Sequence, residues 1–289
     1  MSTFVTTAPL ASPVLNELST ITPIVLTIAG SDSGGGAGIQ ADIKAISATG
    51  GYACSVITAL TAQNTQGVTG IYPISSEFVE QQLDAVFSDL NVIAVKVGML
   101  SDSDVIHSVA KKIKQYSPQY VVVDPVMIAT SGDLLLQTSA IGSLKSELLP
   151  LANVITPNIP EAAALIGVKV PKNEDEMTAI IGELRQLGAK SVLLKGGHLE
   201  ESTNSTDLFI GADSVERLSA ARINTHNTHG TGCTLSSAIA SYLAQGYELH
   251  AAVRLGKQYI TQAIVYADEL IIGKGHGPVN HFFDRNKAI

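Results

Sequence analysis

The sequence predicts an α/β fold in which a mostly parallel central sheet is flanked by helices. Two observations lead to this prediction. Short runs rich in Val, Ile and Leu alternate with longer amphipathic stretches, which is typical of strands joined by helical crossovers. The apolar runs are also nearly continuous, as expected for parallel strands that helices cover on both faces.

Each element can be placed from this pattern. The strand candidates are residues 24–29, 54–59, 92–97, 120–123, 154–156 and 191–194. The helix candidates are 38–49, 77–87, 105–113, 160–166, 174–187, 234–243 and 251–267, where apolar residues recur at helical spacing. Residues 207–218 have the pattern of a hairpin. Because no repeat or linker divides the chain, we expect one domain over residues 23–289.

Composition limits the classes of function. The 289 residues are 45% hydrophobic and 15% charged, which supplies enough apolar surface for a large core. A formal net charge of -8 argues against a surface that gathers nucleic acid or anionic lipid. No apolar run reaches the ~20 residues of a membrane span. We therefore expect small-molecule substrates, with neither nucleic acid nor membrane as a partner.

Localisation is predicted from the cysteines and the N-terminal residues. Two cysteines, Cys54 and Cys233, form no disulfide framework, and the histidines and cysteines show no zinc-ligand spacing. Residues 1–22 are rich in Ser, Thr, Ala and Pro, and no basic residue precedes Lys44, so they match neither a secretory signal nor a transit peptide. We expect a flexible tail over 1–22 and a cytoplasmic protein.

The clearest motif for chemistry is Asn-Thr-His-Gly-Thr-Gly-Cys at residues 227–233, directly before a predicted helix. Gly230 and Gly232 allow the backbone to approach a ligand closely. The N-terminus of the following helix presents free N–H groups and the positive end of the helix dipole. Thr231 and Cys233 belong to the same turn. The segment therefore predicts an anion hole, with phosphate as its occupant.

Other polar residues follow the predicted strands, where ligand sites of parallel sheets collect. A glycine-rich loop, residues 30–38, follows the first strand, but it matches neither a dinucleotide fingerprint nor a P-loop. It could equally be a tight turn between strand and helix. Asp42, one turn into the next helix, could be a solvated residue or a buried acceptor for a substrate hydroxyl.

Asn158 and Glu161 begin a predicted helix with Pro160 in its first turn. This combination is typical of a helix cap. Alternatively, Glu161 could anchor hydrated Mg²⁺, with Asp124 as the second carboxylate. Lys195 ends a strand at Gly196 and Gly197, where it could be solvated or could reach over a ligand.

Histidines also occur in the loops near these strand ends. His198, His226 and His229 are of a kind that is more often hydrogen-bonded or exposed than catalytic, so we assign them no chemical role.

Seven segments, in this order, resemble the hydroxymethylpyrimidine/phosphomethylpyrimidine kinases of the ribokinase-like superfamily. They are AGSDSGGGAGIQADIKA, CSVITALTAQNTQGV, VKVGML, ITPNIPEAAAL, LLKGGH, NTHGTGCTLS and GPVNHFF. The resemblance covers residues 24–283 and implies a ribokinase-like three-layer sandwich. It implies transfer of the ATP γ-phosphate to 4-amino-5-hydroxymethyl-2-methylpyrimidine and then to its monophosphate, for thiamine biosynthesis. It also implies ATP as co-substrate, Mg²⁺, and a homodimer.

The same resemblance implies roles for individual residues. Those that would line the pyrimidine pocket are Gly30, Ala37, Asp42, Gln63 and Met99. Those that would bind the nucleotide are Asn158, Lys195, Thr231 and Gly232, while Glu161 and Asp124 would serve the metal. Catalysis would fall to Lys195, Gly230, Gly232 and Cys233.

The chemistry of Gln63 agrees with this, because its amide offers one acceptor and one donor to the edge of an aminopyrimidine.

Cys233 departs from the wider superfamily, where Gly-Ala-Gly-Asp usually supplies a carboxylate base at this position. A helix N-terminus can lower a thiol pKa and so favour a thiolate base. Cysteine also fits as a small residue that only shapes the anion hole.

Two other functions stay open. A pyridoxal or pyridoxine kinase, or an enzyme of dual specificity, would phosphorylate a similar hydroxymethyl group. A binding protein without catalysis is the second alternative.

Overall fold

In the computed structural model, which describes residues 22–127, 138–197, 199 and 203–284, a nine-stranded sheet runs through the centre of the molecule. Its strands are β1 (Ile24–Asp32), β2 (Tyr52–Asn64), β3 (Gly67–Pro73), β4 (Val92–Val97), β5 (Tyr120–Val123), β6 (Val154–Ile155), β7 (Val192–Leu194), β8 (Asn204–Ile210) and β9 (Val215–Ala221). Their order is β3-β2-β1-β4-β5-β6-β7-β8-β9. The pairings from β2 across to β7 are parallel, whereas β3, β8 and β9 pair antiparallel.

The helices form a layer on each side of this sheet. They are α1 (Gly38–Ala48), α2 (Ser76–Phe87), α3 (Ser103–Tyr116), α4 (Ile141–Ser143), α5 (Ile159–Ile166), α6 (Glu174–Ala179), α7 (Ile181–Arg185), α8 (Thr231–Ala244) and α9 (Leu249–Val265). Short helical turns lie at Thr138–Ala140, Leu144–Leu148, Leu149–Leu151 and Ala267–Glu269. The predicted α/β fold is confirmed.

The side chains of β1 point alternately to the two faces of the sheet, which explains the arrangement of helices, sheet and helices in three layers. Leu26 and Ile28 pack into a core shared with α2, α3 and α5, while Val25 packs on the other face against α1, α8 and α9. All three side chains are fully buried. Because successive strand residues point to opposite faces, a strand that is apolar throughout requires helices on both sides.

The connections at β1 position the functional site. From β1 the chain crosses through α1 to β2 on one side, and later returns through α2 to β4 on the other side of β1. Ligands of open α/β sheets bind in the crevice at such a reversal of strand order.

The structure differs from the sequence prediction most clearly at β3, in the helix over 174–187 and at the start of α8, and it adds helical turns over residues 138–151. Residues 67–73, which are mostly exposed and include two glycines and a proline, form β3, an antiparallel edge strand that was not predicted. The helix predicted over 174–187 is divided at Ile180, which has non-helical angles and lies two residues before Gly182. Helix α8 begins at Thr231 rather than 234, because the left-handed Gly230 ends the preceding loop. The predicted tail lies, up to residue 21, outside the described residues.

Candidate active site

A cavity of about 1130 Å³ opens at the carboxyl ends of the parallel strands. Every predicted site residue except Asp42 lines it: Gly30, Ala37, Gln63, Met99, Asp124, Asn158, Glu161, Lys195, Gly230, Thr231, Gly232 and Cys233. These residues are distant in sequence and meet because each follows a strand or begins a helix at the same edge of the sheet. His198, to which we assigned no chemical role, lies outside the described residues.

The anion hole is built on a tightly constrained glycine. Gly230 is the N-cap of α8 and has φ 80°, in the left-handed region that favours glycine. A Cβ at this position would overlap the carbonyl oxygen of Gly36 in the glycine-rich loop. The Thr231 N–H donates to Thr228 O. By helix geometry, the N–H groups of Gly232 and Cys233 find no acceptor within the helix, so they can bind an anion.

A lysine and two carboxylates converge on this helix N-terminus. Lys195 Nζ lies 2.8 Å from Asp124 Oδ1 and 4.0 Å from Glu161 Oε2. A Cβ on Gly232 would lie 3.1 Å from Lys195 Nζ and 3.2 Å from Asp124 Oδ2. Burial would lower the pKa of Lys195, but Asp124 and Glu161 outweigh it and raise the pKa, so the ammonium stays charged. The site therefore holds a fixed positive charge beside the free N–H groups.

Glu161 caps the helix that it begins, and its carboxylate also lines the cavity. Asn158 Oδ1 accepts from the Glu161 N–H at 2.8 Å, and Glu161 Oε2 accepts from the Asn158 N–H at 2.7 Å. This capping box explains why the helix begins here. The same carboxylate lines the cavity, where burial and then the charge of Asp124 raise its pKa against the opposing effect of Lys195.

The carboxylates suit a hydrated magnesium ion better than a fully protein-bound metal. Among the described residues, no group of three or more His, Cys, Asp or Glu side chains is arranged to hold a metal. Mg²⁺ typically takes one or two carboxylates and completes its shell with water and substrate phosphate. The donors at Asp124 and Glu161 fit that requirement.

The glycine-rich loop and its neighbours line another part of the cavity. A Cβ on Gly30 would come within 2.9 Å of Met99 Sδ, so glycine leaves room for the methionine. Gln63 Oε1 lies 3.1 Å from Thr61 Oγ1, and its Nε2 lies 3.5 Å from His229 Nε2. The amide thus faces the cavity with neighbours that limit its rotation.

Asp42 does not line the cavity as predicted. It is fully buried behind the wall, where Lys96 Nζ approaches both of its oxygens at 2.8 Å. Thr27 and Ser237 also donate to this carboxylate, at 2.6 and 2.7 Å. With its acceptor capacity used by these partners, Asp42 supports the site from behind. The sequence could not distinguish this from substrate contact, because both need an acidic residue facing inward from α1.

The pKa of the Cys233 thiol is raised, although a position at a helix N-terminus would by itself lower it. Burial raises the pKa of this thiol to about 11, and the charges of Asp42 and Asp124 add to the effect against Lys96. Nearby carboxylates and burial outweigh the helix dipole here. The thiol is therefore protonated at neutral pH.

Sequence reasoning missed two groups of lining residues. Asp32 and His229 form a buried pair, with His229 Nε2 and Asp32 Oδ2 separated by 2.9 Å. The far end of the cavity is formed by the end of β9 and by α9 and includes Ile223, Lys257 and Ile260. The sequence signal for Asp32 was its place within the glycine-rich loop, whereas no signal marks the residues of α9.

Comparison with known proteins supplies the family. The family model described as phosphomethylpyrimidine kinase matches residues 32–280. The hydroxymethylpyrimidine/phosphomethylpyrimidine kinase of Rhizobium meliloti is 54% identical over 262 residues, which are 91% of this chain and 98% of that protein. The thiamine biosynthesis bifunctional protein of Geobacter sulfurreducens is 53% identical over 89% of this chain and 52% of its own length.

A solved structure supports the fold. The ADP complex of Bacillus subtilis pyridoxal kinase superimposes with a TM-score of 0.83 and 34% identity, covering 92% of this chain and 99% of that one. In the described residues, no helix is long and apolar enough to cross a membrane.

Proposed function

The chain belongs to the phosphomethylpyrimidine kinase family and is a phosphotransferase, and we propose that it uses ATP to phosphorylate 4-amino-5-hydroxymethyl-2-methylpyrimidine and then the resulting monophosphate. The diphosphate would serve thiamine biosynthesis, as the name of the Geobacter sulfurreducens relative suggests. The Rhizobium meliloti relative carries both kinase activities in its name and matches along almost its full length.

The observation that carries this proposal is that Lys195 and Asp124 converge on Gly232 at one point of the cavity. A Cβ on Gly232 would lie 3.1 Å from Lys195 Nζ and 3.2 Å from Asp124 Oδ2. Phosphoryl transfer depends on positioning and on stabilising charge that spreads over the phosphate oxygens. Free N–H groups and a fixed ammonium supply both. A phosphate between the two ends of the cavity would face the N-terminus of α8.

The pyrimidine would occupy the end formed by Gly30, Ala37, Met99 and Gln63. The Gln63 amide can donate to a ring nitrogen and accept from the neighbouring amino group. Leaving such a buried polar group without its partner costs roughly 1–3 kcal/mol, which is enough to select the ring. The hydroxymethyl group would then point towards Cys233 and the anion hole.

The nucleotide would extend from the anion hole towards the far end of the cavity. Lys195 would lie against the transferred phosphate, and the Asn158 Nδ2 group, which takes no part in the capping box, could reach the same phosphates. Ile223 and Ile260 offer apolar surface for the adenine ring. A nucleotide in this place would meet the pyrimidine near Gly232.

Asp124 and Glu161 would hold Mg²⁺. When bound, the ion would neutralise phosphate charge and orient ATP. Lys195 is paired with Asp124, and its positive charge reduces the repulsion between the two carboxylates. Cys233 is proposed as the base that takes the hydroxyl proton, and its raised pKa makes the thiolate the minor form at neutral pH.

Pyridoxal phosphorylation is the second candidate, supported by the 34% identity and the TM-score of 0.83 to Bacillus subtilis pyridoxal kinase. Pyridoxal also carries a hydroxymethyl group on a nitrogen heterocycle, so the same anion hole could serve it. The proposed pyrimidine activity has the stronger support because the relative named for it is 54% identical.

We expect purified protein with Mg-ATP and hydroxymethylpyrimidine to release ADP and to form the diphosphate through the monophosphate. Chromatography that resolves the two products, with pyridoxal in a parallel reaction, is the measurement. Monophosphate without diphosphate would remove the second step from the proposal. Turnover confined to pyridoxal would replace the pyrimidine function, and no ADP with any candidate substrate would favour a binding protein.

The protein is also proposed to be a homodimer and to be cytoplasmic. β3 is an edge strand, and near it the apolar side chains of Leu60, Ile71 and Tyr72 are exposed by 45%, 41% and 69%. Exposed edges and apolar patches favour association, and a twofold interface is the most common solution. Cys54 and Cys233 are both free thiols, which suits a reducing compartment.

A further inference from the structure

A buried carboxylate organises the glycine-rich loop. Asp32 closes β1 and is only 3% exposed. Its Oδ1 accepts from the Gly34 N–H at 2.7 Å, and its Oδ2 accepts from the N–H groups of Gly36 and Ala37 at 3.0 and 2.8 Å. Three backbone donors therefore hold the loop around one side chain. Ala37, the last of them, lines the proposed pyrimidine pocket.

The same carboxylate reaches the anion-hole loop. His229 Nε2 lies 2.9 Å from Asp32 Oδ2, and His229 directly precedes Gly230. The backbone N–H of His229 donates to Gly277 O at 3.0 Å, so the backbone is also fixed by the C-terminal segment. The two loops also touch directly, because a Cβ on Gly36 would overlap His229 Cδ2. The ring is therefore held between the two loops.

The pair also determines what Gln63 can offer. His229 Nε2 must carry a proton to donate to Asp32, so it cannot accept a hydrogen bond from Gln63 Nε2, 3.5 Å away. The Gln63 amide hydrogens are thereby left for a ligand. Burial alone would raise the pKa of Asp32, but hydrogen bonds from His229, Ala37 and Gly34 lower it, which keeps the carboxylate charged.

We propose that Asp32 and His229 are a pair of positioning residues that fixes the pyrimidine pocket relative to the anion hole and keeps the donor side of Gln63 free for the ring. The inference rests on the proposed function. Neither residue takes a proton from the substrate. Both act through Ala37, Gly230 and Gln63, so that the acceptor hydroxyl and the phosphate meet at reacting distance.

The test compares two replacements of His229. His229→Leu removes the donor, and we expect kcat to fall on the order of 100-fold, as displacements of about 1 Å do to reacting groups, with a raised KM for the pyrimidine and a KM for ATP within about twofold. His229→Gln retains an N–H donor near the position of Nε2 and should recover most of kcat. His226→Leu, on the exposed part of the same loop and outside the cavity, is the matched control.

Hydrogen exchange gives a readout that needs no turnover. In His229→Leu the hydrogen-bonded amides of the two loops should exchange faster together, while those of α3 keep their rates; these amides belong to Gly34, Gly36, Ala37, Thr231 and Thr234. Unchanged kcat in His229→Leu, or a His229→Gln variant as slow as His229→Leu, would overturn the inference. A wild-type protein without pyrimidine turnover would instead defeat the proposed function, and coupled exchange of the two loops would still support the pairing.

Discussion

At the scale of single residues, the most unusual environment is the buried charge pair behind the cavity. Lys96 and Asp42 are both fully buried, and Thr27 and Ser237 complete the hydrogen bonding of the carboxylate. Burial would lower the pKa of Lys96, but the charges of Asp42 and Asp124 raise it, so the ammonium is retained. Removing one partner from such a pair typically costs about 3–5 kcal/mol. The pair thus places both charges near Cys233, where burial raises the pKa of the thiol, Lys96 lowers it and Asp42 raises it further.

The role of Cys233 can be tested by pH. With its thiol pKa raised to about 11 by burial, the thiolate fraction increases about tenfold for each pH unit between 7 and 9. If the thiolate is the base, kcat should rise with the same slope. Cys233→Ala should lower kcat by about 100-fold or more, lose this slope, and bind the pyrimidine almost normally.

Steady-state kinetics from pH 7 to 9, with pyrimidine affinity from calorimetry, give both quantities. Equal slopes in the wild type and Cys233→Ala would exclude the base role and leave Cys233 as a residue that shapes the anion hole.

At the scale of elements, the C-terminal segment, residues 277–284, holds α8 and α9 in place. His281 Nε2 and Thr234 Oγ1 are 2.9 Å apart, and the Tyr259 hydroxyl donates to His281 O at 2.8 Å. The Asn280 N–H donates to Ala263 O. Since Thr234 lies in the first turn of α8, this segment supports the anion hole from its outer side.

This packing predicts acid sensitivity. Burial, with a smaller effect of Lys44, lowers the pKa of His281 to about 4, so the folded protein holds the neutral ring. Protonation therefore favours unfolding: the stabilisation is complete above the usual pKa of about 6.5 and is lost as pH falls towards 4. We expect the free energy of unfolding to drop by about 2 kcal/mol between pH 7.5 and 5.

Urea unfolding at the two pH values measures this difference. His281→Gln should show a smaller drop. His107→Gln, at a side chain that is 67% exposed, should retain the wild-type drop, and an equal drop in all three proteins would argue against His281 as its source.

At the scale of the whole molecule, the exposed edge at β3 predicts association. We expect sedimentation to give about twice the 30.2 kDa of one chain. Tyr72→Lys should shift the protein to monomer, because it places a charge in the proposed interface. Ile271→Lys, at a side chain that is 97% exposed elsewhere, should remain dimeric. A wild-type monomer at micromolar concentration would contradict the proposed dimer.

The sequence was most informative for residue types that have one usual structural role. Val, Ile and Leu runs predicted the parallel strands, with β4 and β5 correct at both ends, and the glycines marked the loops that meet at the cavity. It was less informative for polar residues, which can contact a substrate, support the site through buried hydrogen bonds or be solvated. The roles of Asp42, Asp32 and His229 depend on what surrounds them, and each has a partner that is distant in sequence. The edge strand β3 escaped because it buries little apolar surface.

The separation of Asp32 and His229 along the chain, 197 residues, has a consequence for how the protein is made. Closing so long a loop costs entropy that only later contacts recover, so the site belongs to the last steps of folding. During synthesis the glycine-rich loop and Lys195 leave the ribosome well before Gly230 and the 277–279 segment that holds it. An unfinished chain has no anion hole, and ATP can be used only once nearly all of the sheet and its helices have been assembled.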